Sequence, residues 1–81
     1  MSQFEKLLRR LLSRPKDFTW NEVVSLLRKL GYEEQGGTSS RKRFVNSQKD
    51  VIHLHRPHPG KILKRYMIDI VITHLKEKGK I

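Results

Sequence analysis

Residues 41–55 read RKRFVNSQKDVIHLH, and this stretch decides the fold. Its two ends, 41–45 and 51–55, have the length and apolar content of strands, and the second alternates strictly between two faces. The polar residues 46–50 between them have the composition of a turn. Residues 32–35, which end at a pair of glycines, predict one further short strand. We therefore expect a three-stranded antiparallel sheet.

Helical patterns flank the predicted strands on both sides. Apolar residues recur at helical spacing over 2–13 and 20–30, and a Ser/Thr-x-x-Glu capping box opens each segment. Gly31 is placed to end the second helix, because a positive φ costs glycine little. The helical pattern returns over 61–78. The predicted order is α-α-β-β-β-α, an α+β fold in which the sheet packs on helices and residues 1–81 form one domain.

The last predicted helix has a wide apolar side. The residues with the spacing of a side that faces the core are Leu63, Tyr66, Met67, Ile70 and Val71. Ile62, Ile72 and Leu75 widen this side. We therefore expect these residues to pack into the core.

The sequence is strongly basic and contains no cysteine. Its 18 Lys and Arg residues against 8 Asp and Glu residues give a formal net charge of +10. Residues 35–65 hold eight of the basic residues and one acidic residue, so most of the excess lies in the middle of the chain. A basic domain of this kind is typical of proteins that bind nucleic acid.

Several classes of protein are excluded by the same composition. Without cysteine there can be no disulfide framework and no thiolate zinc site. No apolar run approaches the length of a membrane span, so we expect no membrane partner. The charged start of the chain is unlike a signal peptide, and we therefore expect a cytoplasmic protein.

Arg41 and Arg43 are the first candidates for contacts with RNA. They alternate with Phe44 along the predicted second strand, so they share the outer face if Phe44 points into the core. A basic row on a sheet can follow a phosphate backbone. Charges of this kind also protect a strand edge from aggregation, and this alternative stays open.

Lys61, Lys64 and Arg65 are the second group of candidates. The helical pattern places them in or near the first turn of the last helix, where positive charge opposes the helix dipole. A phosphate bound at the helix N-terminus would make the arrangement favourable. Arg56, which precedes the proline-rich loop, is a further candidate for RNA binding.

Histidine is the residue that would carry catalysis in this chain. His53 and His55 share one face of the third predicted strand, and His58 follows in a loop bounded by prolines. No Ser-His-Asp set or HExxH motif is present, and we expect no metal and no other cofactor. RNA can be cleaved by its own 2′-hydroxyl if a histidine takes or donates a proton. We choose His58 first as acid or base and His55 second, and a structural role in the turn stays open for His58.

Four pieces of the chain point together to one family. They are a helix that ends at Leu30-Gly31-Tyr32, a Gly-Gly-x-Ser turn at 36–39, a basic strand that ends in Phe44, and a Pro-His-Pro-Gly-Lys loop at 57–61. In order and spacing they resemble the HicA-type toxins of bacterial toxin–antitoxin pairs, from about Trp20 to about Lys78. The resemblance implies a fold similar to double-stranded RNA-binding domains, cleavage of mRNA, and a HicB antitoxin that masks the toxin.

The resemblance also implies a catalytic histidine that this chain lacks. Typical members carry Gly-Ser-His or Gly-x-His at the start of the second strand, whereas this chain has Thr38-Ser39-Ser40-Arg41. Either His53, His55 or His58 has taken over the reaction, or the chain binds double-stranded nucleic acid without cutting it. A third hypothesis is a protein-interaction module whose basic face meets an acidic partner.

Overall fold

The computed structural model describes residues 2–36, 41–57 and 60–81. Within these ranges, three helices and a three-stranded antiparallel sheet follow one another in the predicted order, which confirms the α+β fold. The elements are α1 (Gln3–Leu12), α2 (Trp20–Lys29), β1 (Glu33–Gln35), β2 (Arg41–Val45), β3 (Val51–His55) and α3 (Arg65–Glu77). No helix of the described residues is long and apolar enough to cross a membrane.

The sheet has β2 at its centre, with β1 on one side and β3 on the other. β2 and β3 pair over all five residues of each strand, with the bounds that the sequence predicts. Asn46 holds the turn between them, because its side-chain oxygen accepts hydrogen bonds from the N–H groups of Gln48 and Asp50 at 3.0 and 2.8 Å. β1 is one residue shorter than predicted, since Tyr32 completes the end of α2.

Helix α2 begins and ends at the signals present in its sequence. Thr19 and Glu22 form a full capping box, in which each side chain accepts a hydrogen bond from the other residue's N–H, at 3.2 and 3.1 Å. At the other end, the N–H of Tyr32 donates to the carbonyl of Leu27 at 2.9 Å, and Gly31 between them has a φ of 94°. This is a Schellman motif, and glycine suits its left-handed position.

Helix α3 begins later than the sequence predicts. The periodicity places its start at Lys61, whereas α3 starts at Arg65 with Lys64 as its N-cap. The preceding segment is extended instead: Ile62 forms a β-bridge to the loop before α2, and the Lys61 carbonyl accepts a hydrogen bond from the Trp20 N–H at 2.8 Å. This extended pairing prevents the backbone at Lys61 from turning into a helix. The prediction that Lys61 belongs to the first turn of α3 is therefore wrong.

One apolar cluster joins the three helices to the inner face of the sheet. Its buried members are Leu7, Leu11, Phe18, Trp20, Val23, Leu26, Leu27, Tyr32, Phe44, Ile52, Leu54, Leu63, Met67, Ile68, Val71, Ile72 and Leu75. Every helix thus buries one face against the sheet or another helix, which is what an α+β fold of this size needs in order to remove apolar surface from water.

Three apolar residues at or just before α3 do not lie where their spacing predicts. Tyr66, Ile70 and Ile62 are 55%, 45% and 46% exposed, whereas Ile68 is fully buried. Apolar residues surround much of this helix, so periodicity alone allows two overlapping core-facing sides. Packing against β3 selects the side that contains Met67 and Ile68. The prediction that Tyr66, Ile70 and Ile62 belong to the core is therefore wrong.

Ion pairs attach α1 to the rest of the chain. Arg10 Nε lies 2.6 Å from Glu22 Oε2 of α2, and Arg14 Nε lies 2.7 Å from Asp69 Oδ1 of α3. Partial burial alone would raise the pKa of Glu22, but the hydrogen bonds from Arg10 and Thr19 outweigh it and lower that pKa. Together with its buried apolar face, these contacts hold the N-terminal helix against α2 and α3.

A polar cluster connects the hairpin turn to the end of α3. The Asp50 carboxylate, 13% exposed, accepts a hydrogen bond from the Tyr32 hydroxyl, lies 2.9 Å from His74 Nε2, and has Lys78 Nζ 3.7 Å away. Burial alone would raise the pKa of Asp50, but the bonds from Tyr32 and His74 and the charge of Lys78 lower it below its usual value. Burial and the bond to Asp50 raise the pKa of Tyr32 far above its usual value. We call these four residues the Asp50 cluster.

Candidate nucleic-acid interface

The strands β2 and β3 bring four basic and imidazole side chains together on the outer face of the sheet. The antiparallel register sets Arg41 opposite His55 and Arg43 opposite His53. All four residues are exposed, while Phe44 on the other face is fully buried. Arg41 and Arg43 thus share the outer face, as their alternation with Phe44 predicts. We call Arg41, Arg43, His53 and His55 the outer row.

The outer row is a dense group of hydrogen-bond donors. Cross-strand partners have Cβ atoms about 5 Å apart, and alternate residues along a strand are about 7 Å apart. Each guanidinium offers several N–H donors and no acceptor, and each imidazole offers one or two donors. Donors of this kind, on a chain with a net charge of +10, suit the anionic oxygens of a phosphate backbone.

An open groove of about 460 Å³ lies between the outer row and α3. We call it the β3–α3 groove. Its lining residues are Arg41, His53, Leu54, His55, Tyr66, Met67 and Ile70. One wall is therefore cationic or imidazole, and the other is the exposed apolar side of α3. Tyr66 and Ile70 were not predicted as site residues, because their spacing assigned them to the core. The available signal was that this helix has more apolar residues than one core-facing side can hold.

Three candidate basic residues precede the groove residue Tyr66 along the chain. Lys61, Lys64 and Arg65 are all exposed, and Arg65 immediately precedes Tyr66 of the groove wall. Among the described residues, the N-terminus of α3 has no side-chain cap, since the N-cap Lys64 has no acceptor atom. The structure thus keeps Lys64 and Arg65 at the helix start, as predicted, and separates Lys61 from them.

Arg56 lies on a different surface from the outer row. It lines an open groove of about 650 Å³ beside α2, which we call the α2 groove. The other lining residues are Trp20, Asn21, Val24, Ser25, Arg28, Lys29, Glu34 and Lys42. The predicted RNA-binding residues are therefore divided between two surfaces. Arg28 and Lys29 were not predicted as site residues, because they belong to the first 34 residues, in which seven basic residues are nearly balanced by five acidic ones.

Two parts of the predicted site lie outside the described residues. These are His58, the first choice for catalysis, and residues 37–40, where the resemblance places the start of the family's histidine triplet. Within the described ranges, no three His, Cys, Asp or Glu side chains are grouped closely enough to hold a metal ion. His74 belongs to the Asp50 cluster and has a structural contact.

A family model for the HicA toxin of bacterial toxin–antitoxin systems matches residues 20–77, well over half of the chain. The chain belongs to this family. No curated protein and no solved structure matches it significantly. Membership of the HicA family confirms the resemblance seen in the sequence. It makes the protein the toxin of a toxin–antitoxin pair and an antitoxin its partner.

The match to the HicA family includes the outer row, both grooves and the basic residues before α3. The match begins at Trp20, so Arg10 of α1 and Arg14 of the following loop, which pair with Glu22 and Asp69, lie outside the matched region. In this HicA-family toxin, the candidate surfaces found among the described residues therefore lie in the part that matches the family.

Proposed function

We propose that this toxin binds RNA through the outer row and cuts mRNA without a metal ion. We also propose that its antitoxin is HicB-like and covers the same surface. The proposal is supported by the family match, by the high positive charge and by the exposed basic face of the sheet. Lys64 and Arg65 extend the proposed RNA surface toward α3, and Arg56 and Lys61 are further proposed phosphate contacts.

The observation that carries the proposal is the pairing of Arg41 with His55 across β2 and β3. A guanidinium can hold a phosphate through charge-assisted hydrogen bonds. With Cβ atoms about 5 Å apart, an imidazole beside it can reach an oxygen of the same phosphodiester. Arg41 stands near the start of the second strand, where the family resemblance implies a histidine. In our proposal His55 supplies, from the neighbouring strand, the imidazole that is missing there.

The proposed reaction needs only the RNA and the protein's side chains. The 2′-oxygen attacks the adjacent phosphorus while its proton passes to a basic imidazole nitrogen. The bond from phosphorus to the next nucleotide's 5′-oxygen breaks, and that oxygen takes a proton from a protonated imidazole. The products are a 2′,3′-cyclic phosphate and a 5′-hydroxyl. Arg41 and Arg43 would stabilise the negative charge that grows on the phosphate oxygens.

Two histidines are proposed as the acid and base. His55 lies on the outer row beside Arg41, and His58 follows it by three residues. His53 shares the face of His55 but lies about 7 Å further along the strand, so it is the third candidate.

The test is cleavage of a structured RNA in the presence of EDTA by the parent protein, His55→Ala and His58→Ala. General acid–base catalysis contributes about 10²- to 10⁴-fold, so we expect a loss of that order in a variant that lacks a catalytic histidine. RNA binding, measured by fluorescence anisotropy, should remain. Lys16→Ala, which alters an exposed loop residue before α2, is the control. If both histidine variants, folded by circular dichroism, cut at the parental rate, histidine catalysis is wrong.

A second candidate function is RNA binding without cleavage. The absence of histidine from Thr38-Ser39-Ser40-Arg41 favours it. The same experiment separates the two functions, because a protein that binds RNA without cutting it would leave the substrate intact in every reaction.

A further inference from the structure

We propose that the β3–α3 groove is a binding site for a single unpaired RNA base, which stacks on Tyr66 while its phosphate meets Arg41 and His55. This inference rests on the proposed RNA binding and adds the class of substrate: the site takes an unpaired nucleotide rather than a duplex.

The apolar wall of the β3–α3 groove is exposed to solvent. Tyr66 and Ile70 are 55% and 45% exposed, although the helix that carries them has enough apolar residues to fill its core side. One helical turn separates the two residues, so they stand on the same side of α3. Met67, which is buried, and Leu54 form the floor between them and β3. An aromatic ring half in solvent, beside an aliphatic floor, provides a flat surface on which a base can stack.

The opposite wall of the groove carries side chains that can bind phosphate. Arg41, His53 and His55 line the same groove, so phosphate-binding groups and a stacking surface adjoin each other. A nucleotide has the same two parts, an anionic phosphate and a flat base, joined by a sugar. The groove's volume of about 460 Å³ lies within the range of sites for small organic ligands, about 300–1,000 Å³.

The mixed character of the groove favours a nucleotide over an apolar protein segment. A purely apolar segment would match Tyr66 and Ile70 but would also cover the guanidinium of Arg41 and the imidazoles of His53 and His55, and removing such groups from water is costly. A nucleotide brings its own negative charge to Arg41. One nucleotide can therefore contact both walls of the groove, with its phosphate at the cationic wall and its base at the apolar wall.

The base must be unpaired in order to reach Tyr66. In an A-form duplex the bases are stacked on each other, and proteins contact mainly the backbone and the 2′-hydroxyls. Proteins that stack bases on aromatic side chains do so with single-stranded loops and ends. We therefore expect this toxin to prefer single-stranded RNA at the groove, even though the outer row alone would accept either form.

The test uses a 12-nucleotide single-stranded RNA that carries 2-aminopurine beside a 2′-deoxy sugar, so that it cannot be cut there. Stacking on a tyrosine quenches 2-aminopurine fluorescence, and anisotropy of a terminal dye reports affinity. Parent, Tyr66→Ala, Tyr66→Phe and the control Ile62→Ala are compared on this strand and on its duplex. Ile62 is a suitable control because it is 46% exposed, like Tyr66, but does not line the groove.

We expect the parent, Tyr66→Phe and Ile62→Ala to bind the single strand with quenching. Tyr66→Ala should lose the quenching and bind the single strand about 10- to 100-fold more weakly, with its duplex affinity unchanged. Single-strand affinity and quenching that survive in Tyr66→Ala would overturn the base site and leave the proposed RNA binding intact. If the parent binds neither RNA, the proposed function and the base site both fail. A concentration-dependent dimer that Tyr66→Ala abolishes, with RNA binding unchanged, would assign the groove to a second copy and also overturn the proposal.

Discussion

The two ends of the β2–β3 hairpin differ in how far their polar side chains are buried. At the turn end, Asp50 is largely buried and bonded to Tyr32 and His74. At the open end, Arg41 and His55 are exposed on the outer row. The turn end thus holds its charged groups mostly inside the protein, whereas the open end places its side chains at the surface, where a ligand can reach them.

The difference shows how one hairpin can divide stability from binding. A buried carboxylate with several partners stabilises the fold, because loss of any partner leaves a polar group unsatisfied. Arg41 and Arg43 add to the positive charge of the middle of the chain, and a high net charge of one sign costs stability. An anionic ligand neutralises part of this charge when it binds. The relief of the repulsion then adds to the affinity for the ligand. The comparison predicts that changes at the two ends have separable effects.

The largest effect is expected from Arg41→Gln combined with Arg43→Gln. A hydrogen bond to a charged group contributes about 1.5–3 kcal/mol, so the two losses should weaken RNA binding by about 100-fold or more at low salt. The slope of log affinity against log salt should become shallower by about two. The melting temperature should fall less than it does for the loss of a partly buried side chain such as Asp50, because both arginines are exposed. Fluorescence anisotropy over a salt series and a thermal melt measure these quantities.

The matched control for this pair is Arg28→Gln combined with Lys29→Gln. It removes the same charge from the α2 groove and leaves the outer row intact. If the control pair weakens RNA binding more than the outer-row pair does, RNA binds mainly in the α2 groove. The outer row is then not the main RNA-binding surface.

The next effect is expected at the turn end, from Asp50→Ala. The change leaves Tyr32 and His74 without their acceptor, and an unsatisfied buried group costs about 1–3 kcal/mol, so we expect a loss of about 2–3 kcal/mol in the free energy of unfolding. RNA affinity of the folded protein should be unchanged. Urea denaturation measures the loss. Asp17→Ala, at a side chain that is 74% exposed, should change it by less than about 0.5 kcal/mol. Equal urea midpoints for Asp50→Ala and the parent would show that the Asp50 cluster does not stabilise the fold.

The smallest effect concerns acid stability. The hydrogen bonds from Tyr32 and His74 lower the pKa of Asp50 in the folded protein below its unfolded value of about 3.9. Its contribution is therefore present above about pH 4 and is lost as the pH falls through the folded pKa. Asp50→Asn should be less stable at neutral pH and should lose less stability between about pH 5 and pH 2. The pKa of Glu22 is also lowered, but Glu22 is present in both proteins, so its contribution does not affect the difference between them. Urea midpoints at each pH measure this loss. If the two proteins lose the same stability between about pH 5 and pH 2, the pKa of Asp50 is not lowered in the folded protein.

The elements that the sequence predicted well are those with local signals. The alternation in 51–55 and the turn residues before it predicted β2 and β3 with correct bounds. Thr19 and Glu22 marked the start of α2, and Gly31 its end. In each case the decisive interactions lie within a few residues of one another, so the sequence contains all the information they need.

The errors lie where distant segments meet. The start of α3 depends on a bridge between Ile62 and Thr19, which are far apart in the chain. The exposure of Tyr66 depends on which side of α3 packs against β3. Periodicity could not show which side of α3 faces the core, because apolar residues occupy more of this helix than a single side. Both errors affect the predicted site, because the structure separates Lys61 from α3 and places Tyr66 in the wall of the β3–α3 groove.

By itself, the sequence determined the fold class, the basic character of the middle of the chain and the shared face of Arg41 and Arg43, because charge and alternation are properties of neighbouring residues. The tertiary structure alone decided which residues face each other. The hairpin register set His55 beside Arg41 and His53 beside Arg43. The packing of α3 added an apolar wall next to them and divided Arg56 from the outer row. These contacts join residues on different elements, and only the packing of those elements brings them together.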